Sequence, residues 1–292
     1  MSIADVVTRG RTADVTIAIQ GGLGNQLFQW AFATSLRQDG VQVRFDTVRC
    51  RGDRPLAIGP LLDGFTRGST VGALTRAAAH RHAPGWLELV EEGEFGFDEE
   101  LAELARAERC YVAGYFQSPR YFENVAENVR RLALIFLESS LTPTGADFAD
   151  ELSRENSIAV HVRRGDYVTN PVAAGHHGAL KESYYDRALG SLRPEPSARV
   201  IWFSDDLEWT RNNLAAPGDQ VCPSGLTTGA GGEIALMAAC RTRIIANSSF
   251  SWWAGWLGAQ ADHGGRVFAP RRWFVNDEAS THDLLPESWV RL

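Results

Sequence analysis

Two loops in the second half of the chain carry residue types suited to holding a phosphate. The first is His161-Val162-Arg163-Arg164-Gly165-Asp166-Tyr167, directly after the apolar run SIAV at 157–160. Charges clustered where a hydrophobic strand opens into a loop are costly unless they pair or bind. Arginine's planar fork meets a phosphate bidentately and never loses its charge. In extended chain, alternation puts His161 and Arg163 on one face and Val162 and Arg164 on the other. A buried Arg–Asp pair and a ligand contact are both expected here, one arginine pairing with Asp166 and the other facing the ligand. A metal role for His161, alone in this loop, is the weaker alternative.

The second loop is Asn247-Ser248-Ser249-Phe250-Ser251-Trp252-Trp253, between the strand-like RIIA and a helix. Ser249 is the expected N-cap. Free amides and the positive end of the helix dipole would hold a phosphate there. The tryptophans are better suited to packing the helix on a sheet than to stacking on a ligand. A third loop, Phe203-Ser204-Asp205-Asp206, follows the run VIWF. Adjacent acids at a strand end could hold Mg²⁺, accept ribose hydroxyls, or cap the helix that starts at Leu207. Capping by one and hydroxyl acceptance by the other is expected. The metal-binding DxD pattern of many sugar transferases occurs nowhere in the chain. In the first half, Gly21–Gln29 reads GGLGNQLFQ. Glycines at a strand end admit close backbone approach to a ligand. Leu27 stands where GxGxxG needs its third glycine, which excludes the dinucleotide fingerprint. A plain tight turn would explain the glycines alone; the pair Asn25–Gln26 at the helix start adds a ligand contact.

The elements that must position these loops alternate. Val15–Gln20 reads as a buried strand, 25–37 as a helix, and Val41–Phe45 as the next strand. An acidic helix over 98–108, a strand over 110–115 and a helix over 125–137 follow. The polar stretch Thr142–Asp150, with Pro143 and Gly145, reads as a linker. Beyond it come strands at 158–162, 200–203, 243–246 and 266–269, and helices at 183–192, 207–214 and 249–259. Two βα-alternating halves predict an α/β protein with two Rossmann-like domains, 1–145 and 146–292, facing across a cleft. Ligands in such sheets sit beyond the carboxyl ends of the strands.

Composition narrows the class. The chain has 292 residues, 44% hydrophobic and 22% charged, as in an ordinary globular protein. A formal net charge of −7 argues against non-specific nucleic-acid binding while leaving room for a local basic pocket. Lys181 is the only lysine, and Leu180 before it excludes a GxxxxGK[ST] phosphate loop. Cys50, Cys110, Cys222 and Cys240 form no CxxC pair, so free thiols in a reducing cytoplasm are expected rather than zinc or disulfides. The first fifteen residues hold no apolar core of signal-peptide length, and the run Leu132–Leu137 is too short to cross a bilayer. A cytoplasmic protein, at most peripheral to a membrane, is expected.

Six stretches together resemble the glycosyltransferase family 11 fucosyltransferases of the α-1,2 type. They are GGLGNQLFQWA, GYFQSPRYF, HVRRGDYV, FSDDLEW, IIANSSFSWWAGWL and APRRWF, in family order from residue 21 to 274. The resemblance implies a GT-B fold, GDP-β-L-fucose as donor, inversion at the anomeric carbon, and no metal or other cofactor. It also implies roles. Arg163 would bind the donor pyrophosphate and stabilise the leaving group, and His161 would sit near the guanine or support its loop. Ser248 and Ser249 would hold the β-phosphate, Glu233 would read guanine, and Asp205 or Asp206 would contact ribose or hold the loop. Asn25 would reach the phosphate or the fucose. Gly22, Gly24, Arg164 and Asp166 would support the site. A catalytic base is not identified. The acceptor, a glycan and by family default a β-galactoside, would be set by residues 46–110. Where the family often has Cys-Lys-His, this chain has Cys240-Arg241-Thr242. The rival readings are a transferase using another GDP-sugar or making another linkage, and a non-catalytic GDP-sugar binder.

Overall fold

The computed structural model describes residues 13–52, 54–65, 88–93, 95–192, 198–259, 265–275, 281 and 283–292. The first twelve residues and the 66–87 part of the expected acceptor segment lie outside them. The chain divides into two compact units, Met1–Val129 and Arg130–Leu292.

The first unit contains β1 (Asp14–Ala18), α1 (Leu23–Gln38), β2 (Gln42–Asp46), β3 (Glu88–Glu91), α2 (Glu99–Ala107) and β4 (Arg109–Ala113). A 3-10 turn, Pro119–Val125, leads into α3 (Ala126–Glu138), within which the division falls. The four strands form a parallel sheet in the order β2-β1-β4-β3. β1 and β4 are buried along nearly their whole length, as strands covered on both faces must be. α1 packs Leu27, Phe28, Trp30, Phe32 and Leu36 into the core. The chain crosses from one side of β1 to the other between β2 and β4, so a switch point lies between β1 and β4. Crevices for ligands form at the carboxyl end of such a point.

The second unit opens with α4 (Pro143–Arg154) and β5 (Ser157–Val162), then the short helices α5 (Gly165–Thr169) and α6 (Pro171–His176), then α7 (Glu182–Gly190). β6 (Arg199–Ser204), α8 (Leu207–Asn213), β7 (Gln220–Val221) and α9 (Ala230–Ala239) follow. β8 (Thr242–Ile244), α10 (Ser249–Gly258), β9 (Arg266–Ala269) and β10 (Val290–Arg291) complete it. Its parallel sheet runs β10-β9-β8-β5-β6-β7, which puts the switch point between β5 and β8. All six residues of β5 are buried. α10 is apolar all round and buries Trp252 and Trp253 completely, as expected for packing rather than ligand stacking.

The α/β class and two parallel-sheet units agree with the sequence. The stretch read as a linker does not. Thr142 caps α4 by accepting from Gly145 N at 3.1 Å, and Pro143 occupies the first turn, where its missing N–H costs nothing. Gly145 is there for closeness: a Cβ would lie 1.9 Å from the Leu226 carbonyl oxygen. Helix-capping chemistry and linker chemistry use the same residues, and burial of Phe148 and Leu152 decides for the helix. α9 went unread because its start, GAGGE, reads as loop. Gly232 is needed there, since a Cβ would come within 2.8 Å of the Ser140 carbonyl oxygen. All four cysteines are free thiols. Among the described residues no helix is long and apolar enough to cross a membrane.

Candidate functional site

The loops that follow β5, β6 and β8 meet at the carboxyl end of the second sheet, beside its switch point. β5 delivers His161, which is buried with no hydrogen-bond partner on Nδ1. Its ring centroid lies 5.5 Å from that of Phe250 in the first turn of α10, so the loops after β5 and β8 touch. Burial, and then the Arg163 charge, pushes the His161 pKa down to about 3, so the imidazole is neutral at physiological pH.

Beyond Val162 the chain stops alternating and turns into α5, and this redistributes the arginines. Arg163 Nη2 pairs with Asp166 Oδ1 at 2.5 Å and Nη1 with Asp205 Oδ2 at 2.9 Å. Arg164 Nε pairs with Asp206 Oδ2 at 3.1 Å, and its guanidinium lies 3.6 Å from the Trp209 ring centroid. The expectation that the arginine paired with Asp166 is not the one assigned to the pyrophosphate, Arg163, is therefore corrected. Strand alternation holds only while the chain is extended, and the helical turn brings residues i and i+3 together, which are Arg163 and Asp166. Arg163 is thus a paired arginine that stays 24% exposed. Its two ion pairs engage Nη1 and Nη2 once each, leaving further N–H donors of the fork for a ligand.

Of the adjacent acids, one is the expected helix cap and the other bonds arginine and backbone. Asp206 caps α8, accepting from Trp209 N at 3.1 Å. Asp205 ties the loop after β5 to β6, accepting from Arg164 N at 2.8 Å as well as from Arg163. Gly165 leaves room for this: a Cβ there would lie 2.5 Å from Asp205 Oδ2. Glu233, in the first turn of α9, feels the same cluster. Its pKa is raised by burial and then by the Asp205 charge. Among the described residues no group of three or more His, Cys, Asp or Glu side chains is arranged to hold a metal ion.

In the serine loop the N-cap is Ser248, whose Oγ accepts from Phe250 N at 3.3 Å, and Ser249 is the first helical residue. The expected cap moves by one position because β8 ends early and Asn247 is held elsewhere. Asn247 Nδ2 donates to the carbonyls of His177, Gly178 and Trp273 at 2.9, 3.1 and 3.1 Å. Its own carbonyl accepts from Tyr167 Oη at 3.0 Å. Asn247, Tyr167 and His177 are structural members of the site that the motif reading passed over. The signal was present: Tyr167 and Asn247 lie inside the motifs, and His177 stacks on Tyr167 at 4.8 Å.

The family's sequence profile matches residues 95–290, a stretch that holds every loop just described. The chain belongs to glycosyl transferase family 11. It is 36% identical over 184 residues to an α-1,2-colitosyltransferase of Escherichia coli, covering 61% of each chain. It is 37% identical over 139 residues to the O-antigen biosynthesis glycosyltransferase WbnK of E. coli, covering 47% of this chain and 45% of that one. It is 32% identical over 103 residues to the mouse galactoside 2-α-L-fucosyltransferase Sec1, covering 34% of this chain and 28% of that one. The chain spans less than two thirds of the length of these relatives.

The glycine loop of this family 11 chain lies outside the matched stretch, at the end of β1, and its polar residues are turned to internal use. Gly21 takes φ +78°, a conformation that favours glycine. Gly22 precedes α1 as its N-cap and Gly24 is buried in the first turn. Asn25 Oδ1 accepts from Gln117 Nε2 at 2.9 Å, within the same unit. Gln26, fully buried, donates to the Gly21 and Pro55 carbonyls at 2.9 and 2.8 Å and accepts from Ala57 N at 2.8 Å. Gln29 donates to the Gly114 carbonyl at 2.8 Å and accepts from Gln20 N at 3.1 Å. Gln29 braces the ends of β1 and β4, and Gln26 ties the glycine turn to residues 55–57, roles the motif did not disclose.

Proposed function

We propose that this family 11 chain is an inverting, metal-independent fucosyltransferase that moves L-fucose from GDP-β-L-fucose to the 2-hydroxyl of a galactoside. The observation that carries the reading is Arg163, half-buried just beyond β5 and held by Asp166 and Asp205, two residues from His161, whose ring lies against Phe250 at the start of α10. As the fucosyl–phosphate bond stretches, the sugar becomes oxocarbenium-like and GDP gains negative charge. Arg163 and the amides at the start of α10 would take up that charge, the kind of preorganised electrostatic help that dominates most rate enhancements. Glu233 would accept from the N1 and N2 hydrogens of guanine, a pair that adenine does not offer. Ser248 and Ser249 would face the β-phosphate, and Asp205 and Asp206 would hold the loop. His161 would support the loop as a neutral ring.

A second reading has its own support. One relative is named for colitose, the 3-deoxy counterpart of L-fucose, and for an α-1,2 linkage. A donor carrying colitose in place of fucose would use the same phosphate and guanine contacts. Two measurements test the proposal. Calorimetry with GDP, ADP and UDP should give binding for GDP alone, and equal binding of ADP would overturn the guanine role. Incubation of GDP-fucose and GDP-colitose with an array of acceptor sugars, read by product mass and linkage, should show fucosyl transfer to a galactoside. Transfer of colitose alone would replace the first reading with the second, and GDP binding with no transfer from either would leave a sugar-nucleotide binder.

A further inference from the structure

A cavity of about 240 Å³ lies at the carboxyl ends of β1, β3 and β4 in the first unit. This is the crevice that the β1/β4 switch point predicts. Its size is below the roughly 300–1,000 Å³ of sites for drug-sized ligands, so it suits one ring rather than an extended chain.

The lining is mixed in sign and rich in hydrogen-bonding groups. Glu91 and Glu92 supply carboxylates, Arg49 a guanidinium and Gln20 an amide, with the half-buried rings of Phe95 and Tyr115 beside them. A phosphate would be repelled by the exposed Glu91 carboxylate, and an apolar ligand would strip water from Glu91 and from the Arg49–Gln20 pair, in which Arg49 Nη1 donates to Gln20 Oε1. A sugar ring fits both requirements: its hydroxyls donate to carboxylates and accept from guanidinium and amide, and its C–H faces lie against aromatic rings.

The cavity is also a built feature. The Glu92 carboxylate accepts from Tyr115 N at 2.7 Å and from Phe116 N at 3.0 and 3.1 Å, fixing the turn that presents Tyr115. Phe116 is held at φ +53°, a left-handed conformation that a residue with a bulky side chain adopts only when its surroundings impose it. Gly114 is required under it, because a Cβ would come within 2.6 Å of Glu92 Cβ. Gln29 ties Gly114 to Gln20 across the cavity floor. Gln29 thus shapes this second site.

We propose that this cavity seats the sugar ring of the acceptor, with Glu91 accepting from its hydroxyls. The proposal rests on the transferase reading and names the half of the reaction that reading leaves open. Gly93 offers a clean test. It lines the cavity, and a Cβ added there meets nothing within 4 Å, so Gly93→Val places bulk at the wall without a clash. Glu91→Gln removes the charge of an exposed side chain and keeps its shape.

The experiment titrates the full chain and both variants with methyl β-D-galactopyranoside, read by saturation-transfer NMR, and separately with GDP by calorimetry. The expected result is galactoside binding by the parent chain, weakened at least about tenfold by Gly93→Val and measurably by Glu91→Gln, with GDP affinity unchanged in all three. Undiminished galactoside binding in both variants overturns the cavity assignment, as does a parent chain that binds GDP but no sugar. Binding of methyl β-D-glucopyranoside in place of the galactoside keeps the cavity and overturns the galactoside. Failure to bind GDP overturns the transferase reading itself, whatever the sugar does.

Discussion

The two units solve the same geometric problem with different chemistry. In each, a buried parallel strand next to a switch point ends in a polar loop and hands the chain to a helix. After β5 the loop is built of charges: Arg163, Arg164 and Asp166, which pair with one another or with Asp205 and Asp206 from the loop after β6. After β1 it is built of neutral amides, with Gln26 and Gln29 bonded to backbone and Asn25 to Gln117. A neutral amide network fixes loop positions without placing any field on a ligand. A charged network fixes its loops too, and an arginine held by two carboxylates keeps further N–H donors for an anion. The contrast is consistent with the proposed sugar nucleotide on one unit and the proposed neutral sugar on the other.

Removing the charge should give the largest effect. Arg163→Ala is expected to cut turnover by about 10²–10³, the usual consequence of losing one donor to developing negative charge. Arg163→Lys should recover little of it, since a point charge cannot replace the fork. Steady-state kinetics beside a melting curve check this. The comparison breaks if Arg163→Ala melts normally and turns over within about threefold of the parent.

The amide loop should respond in stability rather than in chemistry. Gln26→Leu keeps the bulk but removes three part-buried hydrogen bonds, to the Gly21 and Pro55 carbonyls and from the Ala57 amide. Each such bond contributes about 0.5–1.5 kcal/mol net. A loss of several degrees in melting temperature is expected, with GDP affinity in the second unit unchanged by calorimetry. A variant that melts with the parent would mean that water replaces Gln26 freely and that the amide network is incidental.

How much of this was legible beforehand follows from what each signal depends on. Strands and helices with one dominant pattern were readable: Arg266–Ala269 came out as drawn, and α1 and α10 to within a few residues. β3 was missed because LELVEE is more acidic than a buried strand, and its charges turn out to line a cavity rather than a core. The charged cluster was legible as a set but not in its pairing. Which carboxylate meets Arg163 depends on where β5 stops and on β6 arriving alongside, and neither is local information. The roles of Gln26 and Gln29 were hidden for the same reason, since their partners lie at Pro55 and Gly114.

The two units should also answer pH in opposite directions. His177 has its pKa lowered to about 4, by burial first and then by the His176 charge. The unfolded chain therefore binds more protons there between about 4 and 6.5, so stability rises with pH across that window and is lost as pH falls below it. Glu92 behaves inversely. Burial raises its pKa to about 7 against the lowering effect of its amide bonds. The folded chain then holds more protons between about 4.5 and 7, and stability falls as pH rises through that window. Melting curves from pH 4.5 to 7.5 should show His177→Gln gaining on the parent toward the acid end and Glu92→Gln gaining toward the neutral end. Parallel curves for either variant would remove that residue from the account.

The smallest expected effect is that of EDTA on turnover, which should be none. The natural metal candidates are Asp205 and Asp206, adjacent acids at the end of β6. A divalent cation with oxygen ligands needs carboxylates turned toward a common point. These two are turned apart. Asp205 reaches back to Arg163 and to the Arg164 amide, while Asp206 faces its own helix and the Arg164 guanidinium. A cation bound between them would have to displace two arginines that already supply positive charge at that place, so it would add little to the stabilisation of leaving GDP. The measurement is transfer rate in excess EDTA and again after adding back Mg²⁺ or Mn²⁺. Activity abolished by EDTA and restored by either ion would mean that the aspartates leave their arginines when the donor arrives. The charged loop would then be a metal cradle closed by arginines in the free protein, and Arg163 would lose its place as the chief partner of the leaving phosphate.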